Sequence, residues 1–272
     1  MLLFPDCKIN LGLYVLSRRK DGYHDIDTVM YPVRGLCDAL EIVSSERDGV
    51  EFSSSGLPTD GAPDDNLCVK AYRAVCRDYA VGGVRMHLHK HIPMGAGLGG
   101  GSSDAAFVIR GLSELFGLGL DTARMEALAA GIGSDTAFFV ADRPAFARGR
   151  GEILSPAPRV LSGYRLVLVK PDEHVSTAEA YRHVVPADPE VPLAEALRLP
   201  VRCWREYVRN DFEPSVFRAH PLLREIKEQL YGLGAAYASM SGSGSALYAL
   251  FDGEAPDLSV FGDLFVYQED MV

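Results

Sequence analysis

The run Pro93-Met94-Gly95-Ala96-Gly97-Leu98-Gly99-Gly100-Gly101-Ser102-Ser103-Asp104-Ala105-Ala106 decides how the rest of the chain is read. Five of its fourteen residues are glycine, two are adjacent hydroxyls, and it leads into an apolar, helix-compatible segment. Glycine opens backbone angles closed to other residues and lets a bulky anion approach the amides. A helix that starts where the loop ends adds N–H groups and the positive end of its dipole. The stretch therefore reads as a phosphate cradle. It is not the Lys-bearing phosphate loop, because no Lys follows any of its glycines. Gly95, Gly97 and Gly100 meet the dinucleotide spacing, but so does almost any glycine-rich run. A merely flexible linker would be polar throughout. Here residues 84–88 alternate like a strand before the loop, and residues 104–115 carry a helical pattern after it.

The chain has 272 residues, enough for one large domain or two ordinary ones. At 47% hydrophobic and 24% charged residues it has a globular composition. A formal net charge of -10 argues against nucleic acid as the main partner, since gripping it needs a basic face. It does not exclude a nucleotide in a locally positive pocket. Five cysteines without CxxC spacing are expected to be reduced thiols of a cytoplasmic protein, and zinc is not expected. Residues 1–10 do not resemble a signal peptide, and no apolar stretch approaches membrane-spanning length. No membrane partner is expected, and the oligomeric state is left open.

Before the loop, residues 8–16, 28–33 and 38–43 read as strands, with a polar turn at residues 18–22. Residues 48–65 read as a short strand plus loop. Residues 66–79 have helical apolar spacing, with Asp64 or Asp65 as the expected cap. After the loop, helices are expected over residues 104–115 and over 121–130, the latter capped by Asp121. Residues 143–151 suggest a strand and turn. The character changes at Pro156-Ala157-Pro158, so the boundary is placed between residues 155 and 156. Beyond it come a strand at 164–169, a helix at 177–183 and a Pro-punctuated connection with a small helix at 185–200. A helix at 221–230, a Gly/Ser loop at 238–245 and a strand at 246–251 follow. Strands and helices mix without strict alternation, which indicates α+β architecture in two lobes.

Four constellations carry chemistry. Lys8 and Asn10 project from one face of the opening strand, so an ammonium and an amide can share a pocket; a solvated strand-end charge is the competing reading. Gly22-Tyr23-His24 puts a stacking ring beside a hydrogen-bonding imidazole, as reading a flat base requires, although turn aromatics commonly just pack on a core edge. In Gly133-Ser134-Asp135-Thr136-Ala137-Phe138-Phe139, Asp135 lies between small residues and two aromatics. It suits a general base or a metal ligand, and equally a helix N-cap. The small residues at 239–245 permit close backbone approach to a ligand or to the first loop.

These pieces, in this order, resemble the GHMP kinase superfamily, whose signature is a Pro-x-x-x-Gly-Leu-Gly-Ser-Ser-Ala-like loop. The extra glycine with Ser-Ser-Asp-Ala-Ala, the opening Lys8-Ile9-Asn10-Leu11, and Arg18-Arg19-Lys20-Asp21-Gly22-Tyr23-His24 resemble its branch acting on a cytidine-diphosphate-linked sugar alcohol. Gly133-Ser134-Asp135 and Met240-Ser241-Gly242-Ser243-Gly244 fall where that group has its later motifs. The resemblance implies an α+β, two-lobed fold. Its N-terminal lobe (residues 1–155) is ribosomal-protein-S5-like and binds ATP; its C-terminal lobe (156–272) is ferredoxin-like. It implies direct phosphoryl transfer from ATP, with Mg²⁺, to a 2-hydroxyl of a small-molecule substrate in the non-mevalonate isoprenoid route. Asp135 is implied as base, with Lys8 orienting it or stabilising transferring charge. Residues Gly95 to Ser103, preceded by Pro93 and Met94, are implied around the ATP phosphates, with Ser102 or Ser103 reaching phosphate or Mg²⁺. Lys90, Asn66 and Asp104 fall at the adenosine end. Asn10, Tyr23 and His24 fall at the cytidine end, with Thr177 and Tyr181 on its other side. Cys7 and Ser134 stand where the family commonly has Ala; both are small. The metal ligands are not implied. The rivals are a sibling kinase for homoserine, mevalonate or a sugar, which would have no base for Tyr23 and His24, and a non-catalytic nucleotide- or RNA-binding module, against which Lys8, Asp135 and the net charge count.

Overall fold

The computed structural model describes residues 1–59, 61–254 and 256–272. The first half runs β1 (Leu2–Leu3), β2 (Cys7–Arg18), β3 (His24–Val33), β4 (Ala39–Ser45), β5 (Val50–Gly56), α1 (Leu67–Asp78) and β6 (Gly83–Lys90). Then follow α2 (Gly100–Leu115), α3 (Thr122–Ala130), α4 (Thr136–Ala141), β7 (Ala145–Gly149) and β8 (Ile153–Pro156). The remainder is β9 (Tyr164–Lys170), α5 (Thr177–Arg182), α6 (Leu193–Ala196), α7 (Trp204–Tyr207), α8 (Glu213–Ala219), α9 (Pro221–Gly232), β10 (Tyr237–Met240), β11 (Leu247–Asp252) and β12 (Phe265–Asp270). Strands of the described residues form three four-stranded sheets, ordered β1-β4-β6-β5, β2-β3-β7-β8 and β10-β11-β9-β12. The α+β class follows. No helix among the described residues is long and apolar enough to cross a membrane.

Packing divides the chain into two compact units: residues 1–8, 32–94 and 99–143 form one, and residues 9–31, 95–98 and 144–272 the other. In the first unit, β6 buries Val84, Met86 and Leu88 and exposes Arg85, His87 and His89. This is the period-two pattern of a strand with one face on a core. Helix α2 packs above that sheet; a Cβ on Gly111 would stand 2.8 Å from Leu3 and 2.9 Å from Ile42. In the second unit, β9 is fully buried from Leu166 to Val169 and pairs antiparallel with β11 and β12. Numbered in chain order, its four strands lie 2-3-1-4, the ferredoxin-like order. Val216 of α8 and Leu223, Ile226 and Leu230 of α9 join Val167, Val169, Leu247 and Ala249 in its core.

Three local expectations need correction. Helix α2 begins at Gly100, four residues before the expected start, because Gly99 takes a left-handed conformation that lets the last glycines and both serines form its first turn. The cap of α1 is Asn66, whose side chain accepts from the Cys68 amide at 2.9 Å, and not Asp64 or Asp65, which lie in a preceding 3₁₀ turn. Residues 238–240 belong to β10, where they pair with residues 247–249, so the Gly/Ser loop starts at Ser241. Asp121 caps α3 as expected, accepting from Arg124 N at 2.9 Å.

A buried ion cluster closes the first unit beneath the glycine run. Lys90 Nζ donates to Asp104 Oδ2 at 2.9 Å and to Asp38 Oδ2, and all three side chains are at most 3% exposed. Asp38 Oδ1 accepts from the amides of His91 and Ile92 at 2.6 and 2.8 Å, pinning the chain as it leaves β6. One cation between two carboxylates is one positive charge short. Burial pushes the Asp104 carboxyl up to about 7, with Asp38 adding to the rise and Lys90 opposing it. A raised carboxyl pKa stabilises the fold fully below the ordinary value near 4 and loses that contribution as pH rises through the folded value.

In the second unit, residues 95–98 dock on the loop after β10. Ser241 Oγ donates to Gly97 O at 2.9 Å, and Ala246 N donates to Ala96 O at 3.1 Å. Gly97 has φ +74°, and a Cβ there would stand 2.0 Å from Ser241 O. The two Gly/Ser loops thus approach each other backbone to backbone. Gly97→Ala is expected to cost roughly 2–4 kcal/mol in urea unfolding, from strain plus overlap, whereas Gly119→Ala costs about 1 kcal/mol. Gly119 shares a positive φ but has open space around it. Asp104→Asn, isosteric with the protonated acid, is expected to flatten the fall in urea midpoint between pH 5 and pH 8; an unchanged pH dependence would show that Asp104 does not carry this proton.

Candidate active site

Lys8 and Asp135 meet in the first unit, with Nζ 3.3 Å from Oδ2. The Lys8 side chain is 4% exposed and that of Asp135 25%, so the ammonium is sealed and the carboxylate stays reachable. A solvated strand-end lysine is thereby excluded. Asp135 occupies the N-cap position of α4, yet its side chain makes no cap hydrogen bond. Its Oδ1 accepts from Ser134 Oγ at 3.3 Å, and the other oxygen faces Lys8. The capping explanation therefore fails on geometry.

The last glycines adjoin this pair. A Cβ on Gly99 would stand 3.0 Å from the Phe139 ring and 3.3 Å from Lys8 Cε, and φ there is +73°. In α2 the first helical bond runs from Ser103 N to Gly99 O, at 2.9 Å. The amides of Gly100, Gly101 and Ser102 come before it, and so are available to an anion at the positive end of the helix. A Cβ on Gly133 would lie 3.5 Å from Ser102 Oγ, so Ser102 faces the Asp135 segment. Ser103 is fully buried and faces inward.

The residues expected at the adenosine end are placed differently from one another. Lys90 and Asp104 are 2% exposed and held in the cluster with Asp38; the Lys90 ammonium lies 3.1 Å from a Cβ built on Gly100, directly beneath the first turn of α2. They support the cradle from below. Asn66 is half-buried and caps α1. Pro93 and Met94 are half-buried at the end of the first unit's segment, and Gly95, Ala96, Gly97 and Leu98 belong to the second unit. A Cβ on Gly95 would stand 2.7 Å from the His174 ring, a neighbour the sequence reading did not pick out.

The residues expected at the cytidine end lie in the second unit. Asn10 is 3% exposed; its Nδ2 donates to Thr28 Oγ1 at 3.0 Å and its carbonyl accepts from Tyr248 at 2.9 Å. It orders strand β2. Tyr23 is 57% exposed with the Arg150 guanidinium 4.9 Å above its ring. His24 stacks on Tyr181, with centroids 4.8 Å apart and planes within 17°. That spacing leaves no room for a base between the two rings. Burial, with Arg18 nearby, lowers the pKa of His24, so at neutral pH its imidazole offers one donor and one acceptor. Thr177 Oγ1 lies 3.3 Å from Ser243 Oγ in the second Gly/Ser loop. Asp38, Asp6 and Arg34 were not expected, and no local pattern marks them, since their partners lie 28 to 108 residues away along the chain.

The chain matches the family models for the GHMP kinases N terminal domain at residues 66–149 and GHMP kinases C terminal at residues 193–259. A protein of Bacteroides thetaiotaomicron named 4-diphosphocytidyl-2-C-methyl-D-erythritol kinase is 50% identical over 256 residues, covering 93% of each chain. The crystal structure of a 4-(cytidine 5'-diphospho)-2C-methyl-D-erythritol kinase superposes with a TM-score of 0.79 at 35% identity, covering 98% of both chains. A homoserine kinase of Cytophaga hutchinsonii has a TM-score of 0.64 at 18% identity, covering 98% of this chain and 95% of that one; this likeness is one of fold alone. With two family models spanning more than half of its residues and a relative identical at every second position, the chain belongs to the GHMP kinases, small-molecule phosphotransferases, in the group of 4-diphosphocytidyl-2-C-methyl-D-erythritol kinases.

Proposed function

We propose that this chain transfers the γ-phosphoryl group of ATP to the 2-hydroxyl of 4-diphosphocytidyl-2-C-methyl-D-erythritol, with Asp135 as base. The observation that carries the reading is the Lys8–Asp135 pair: a reachable carboxylate held by a sealed ammonium, next to the first turn of α2. Its relatives of the same name and near-full coverage support the choice of acceptor.

The acceptor hydroxyl gives its proton to Asp135 as its oxygen attacks the γ-phosphorus. The bond from that phosphorus to the β,γ-bridging oxygen breaks, and ADP leaves with the electron pair. Such a transfer requires alignment and charge stabilisation more than covalent help. Lys8 orients the carboxylate, and the amides of residues 100–102 face the phosphates. Lys90 and Asp104 hold that turn from below, and Asn66 and residues 93–98 complete the donor side. Tyr23 and His24 read the cytosine, with Asn10, Thr177 and Tyr181 shaping that end. Residues 1–155 are the ATP-binding lobe and 156–272 the C-terminal lobe, in keeping with family matches on either side of that boundary.

Mg²⁺ enters with ATP as part of the donor substrate and neutralises phosphate charge. Among the described residues no group of three or more His, Cys, Asp or Glu side chains is arranged to hold a metal. The outward Ser102 hydroxyl and the reachable Asp135 carboxylate fit an ion held mainly by phosphates and water. The reading places the enzyme in the cytoplasm, in keeping with cysteines that form no disulfide among the described residues.

Asp135→Asn is expected to lower kcat about 10²–10⁴-fold while calorimetry still detects ATP binding; near-normal turnover would remove Asp135 from the chemistry. Tyr23→Ala is expected to raise KM for the cytidylated acceptor roughly tenfold, the scale of one lost stacking contact, with KM for ATP unchanged. An unaltered acceptor KM would rule out stacking. Turnover of homoserine or mevalonate, and not of the cytidylated acceptor, would refute the proposed substrate.

A further inference from the structure

Short helix α4 carries an acidic residue at each end, Asp135 at its N-cap and Asp142 at its C-cap. They are seven residues apart, about two helical turns, so they share one face. The strand segment beside that face carries Asp6 and Lys8, an i, i+2 pair on one side of an extended chain. Lys8 bridges to Asp135 at one end. At the other end Arg34 bridges two acids: its Nη1 donates to Asp6 Oδ2 at 3.0 Å and to Asp142 Oδ2, and its Nη2 donates to the Asp142 carbonyl. Helix and strand are therefore joined by two rungs, and only one of them includes the proposed base.

We infer that Arg34 is a positioning residue for Asp135, fixing the register of α4 against the start of β2 so that the carboxylate stands where Lys8 and the acceptor hydroxyl need it. This rests on the reading of Asp135 as the base. Three observations support it. Asp142 has φ +49°, a left-handed conformation rare for a residue with a side chain, and it ends α4 where the guanidinium takes both its carboxylate and its carbonyl. Asp6 is 3% exposed and its Oδ1 meets no donor, so Arg34 is the cation that keeps it beside Asp142. Without that cation, two acids are left face to face across the strand and the end of the helix. Helix α4 is six residues long, too short to hold its own direction, so a shift at its C-cap reaches its N-cap.

The test is a double-mutant cycle on the full-length enzyme, with steady-state kinetics for both substrates. Arg34→Ala is expected to lower kcat roughly 30–100-fold, the scale of a misplacement near 1 Å, while KM for ATP and for acceptor changes less than about twofold. Arg34→Lys keeps the charge but loses the fork, and is expected to recover part of kcat. In an Asp135→Asn background, Arg34→Ala is expected to have little further effect, because what it positions is gone. If Arg34→Ala does not fold, the cycle is run with Arg34→Lys, whose single ammonium cannot serve all three acceptors. A kcat within twofold of the parent, or the same fold-loss with and without the Asp135 carboxylate, would overturn the inference while leaving Asp135 as base. Full activity of Asp135→Asn alone would instead defeat the reading on which it rests.

Discussion

A lysine ammonium that is 96% removed from solvent needs a carboxylate, and Lys8 has one that is itself a quarter exposed. The architecture around the site follows from keeping that mismatch. To seal the ammonium, the ring of Phe139 and the backbone at Gly99 close over Lys8, and any side chain at 99 would strike both. The left-handed turn at Gly99 then starts α2, whose amides at residues 100–102 precede the first helical bond. One buried charge thus dictates a glycine more than ninety residues along the chain, and that glycine dictates where α2 begins.

The first unit holds two further cations, each between two carboxylates: Lys90 with Asp38 and Asp104, and Arg34 with Asp6 and Asp142. Their carboxylates are all more buried than that of Asp135, and their work differs. A cation shared by two acids on separate segments joins those segments, and breaking it strands a buried charge. These clusters tie β6 to α2 and α4 to the start of β2. The Lys8–Asp135 pair includes a carboxylate that stays a quarter exposed.

What was legible in the sequence was what local pattern encodes. The glycine run, the alternating strand before it, Asp121 as a cap and the hydrophobic strand at residues 164–169 all declare themselves within a few residues. Lys8 and Asp135 were picked out, but each had an equal alternative that only three-dimensional contact removes: the ammonium proved buried, and the carboxylate proved to make no cap bond. Helix α4 was not assigned because six residues give barely one helical repeat to read. Strand β12 was missed because its half-buried pattern lacks clear alternation. Asp38 and Arg34 carry no motif; each matters through partners dozens of residues distant. Propensity, which discourages glycine in helices, sets the expected start of α2 late, whereas here the first turn needs small residues for close packing against Phe139, Ile92 and Lys90.

With Asp135 as the base, as proposed above, the Lys8–Asp135 pair also has a direction in time. Before transfer the two charges compensate each other, and the sealed ammonium presents little net field. As the acceptor proton moves to Asp135 on that proposal, the carboxylate becomes neutral and Lys8 loses this counter-charge in a dry environment, where the change in its field is largest. That is the moment at which negative charge on the transferring phosphoryl group lies between the two oxygens. Electrostatic stabilisation therefore rises with reaction progress and is weaker in the ground state, as differential binding of a transition state requires. A lysine held by two buried acids, as Lys90 is, would keep one carboxylate after a proton transfer to the other, and neither of those acids is open to an acceptor; the partly exposed Asp135 suits the proposed chemistry.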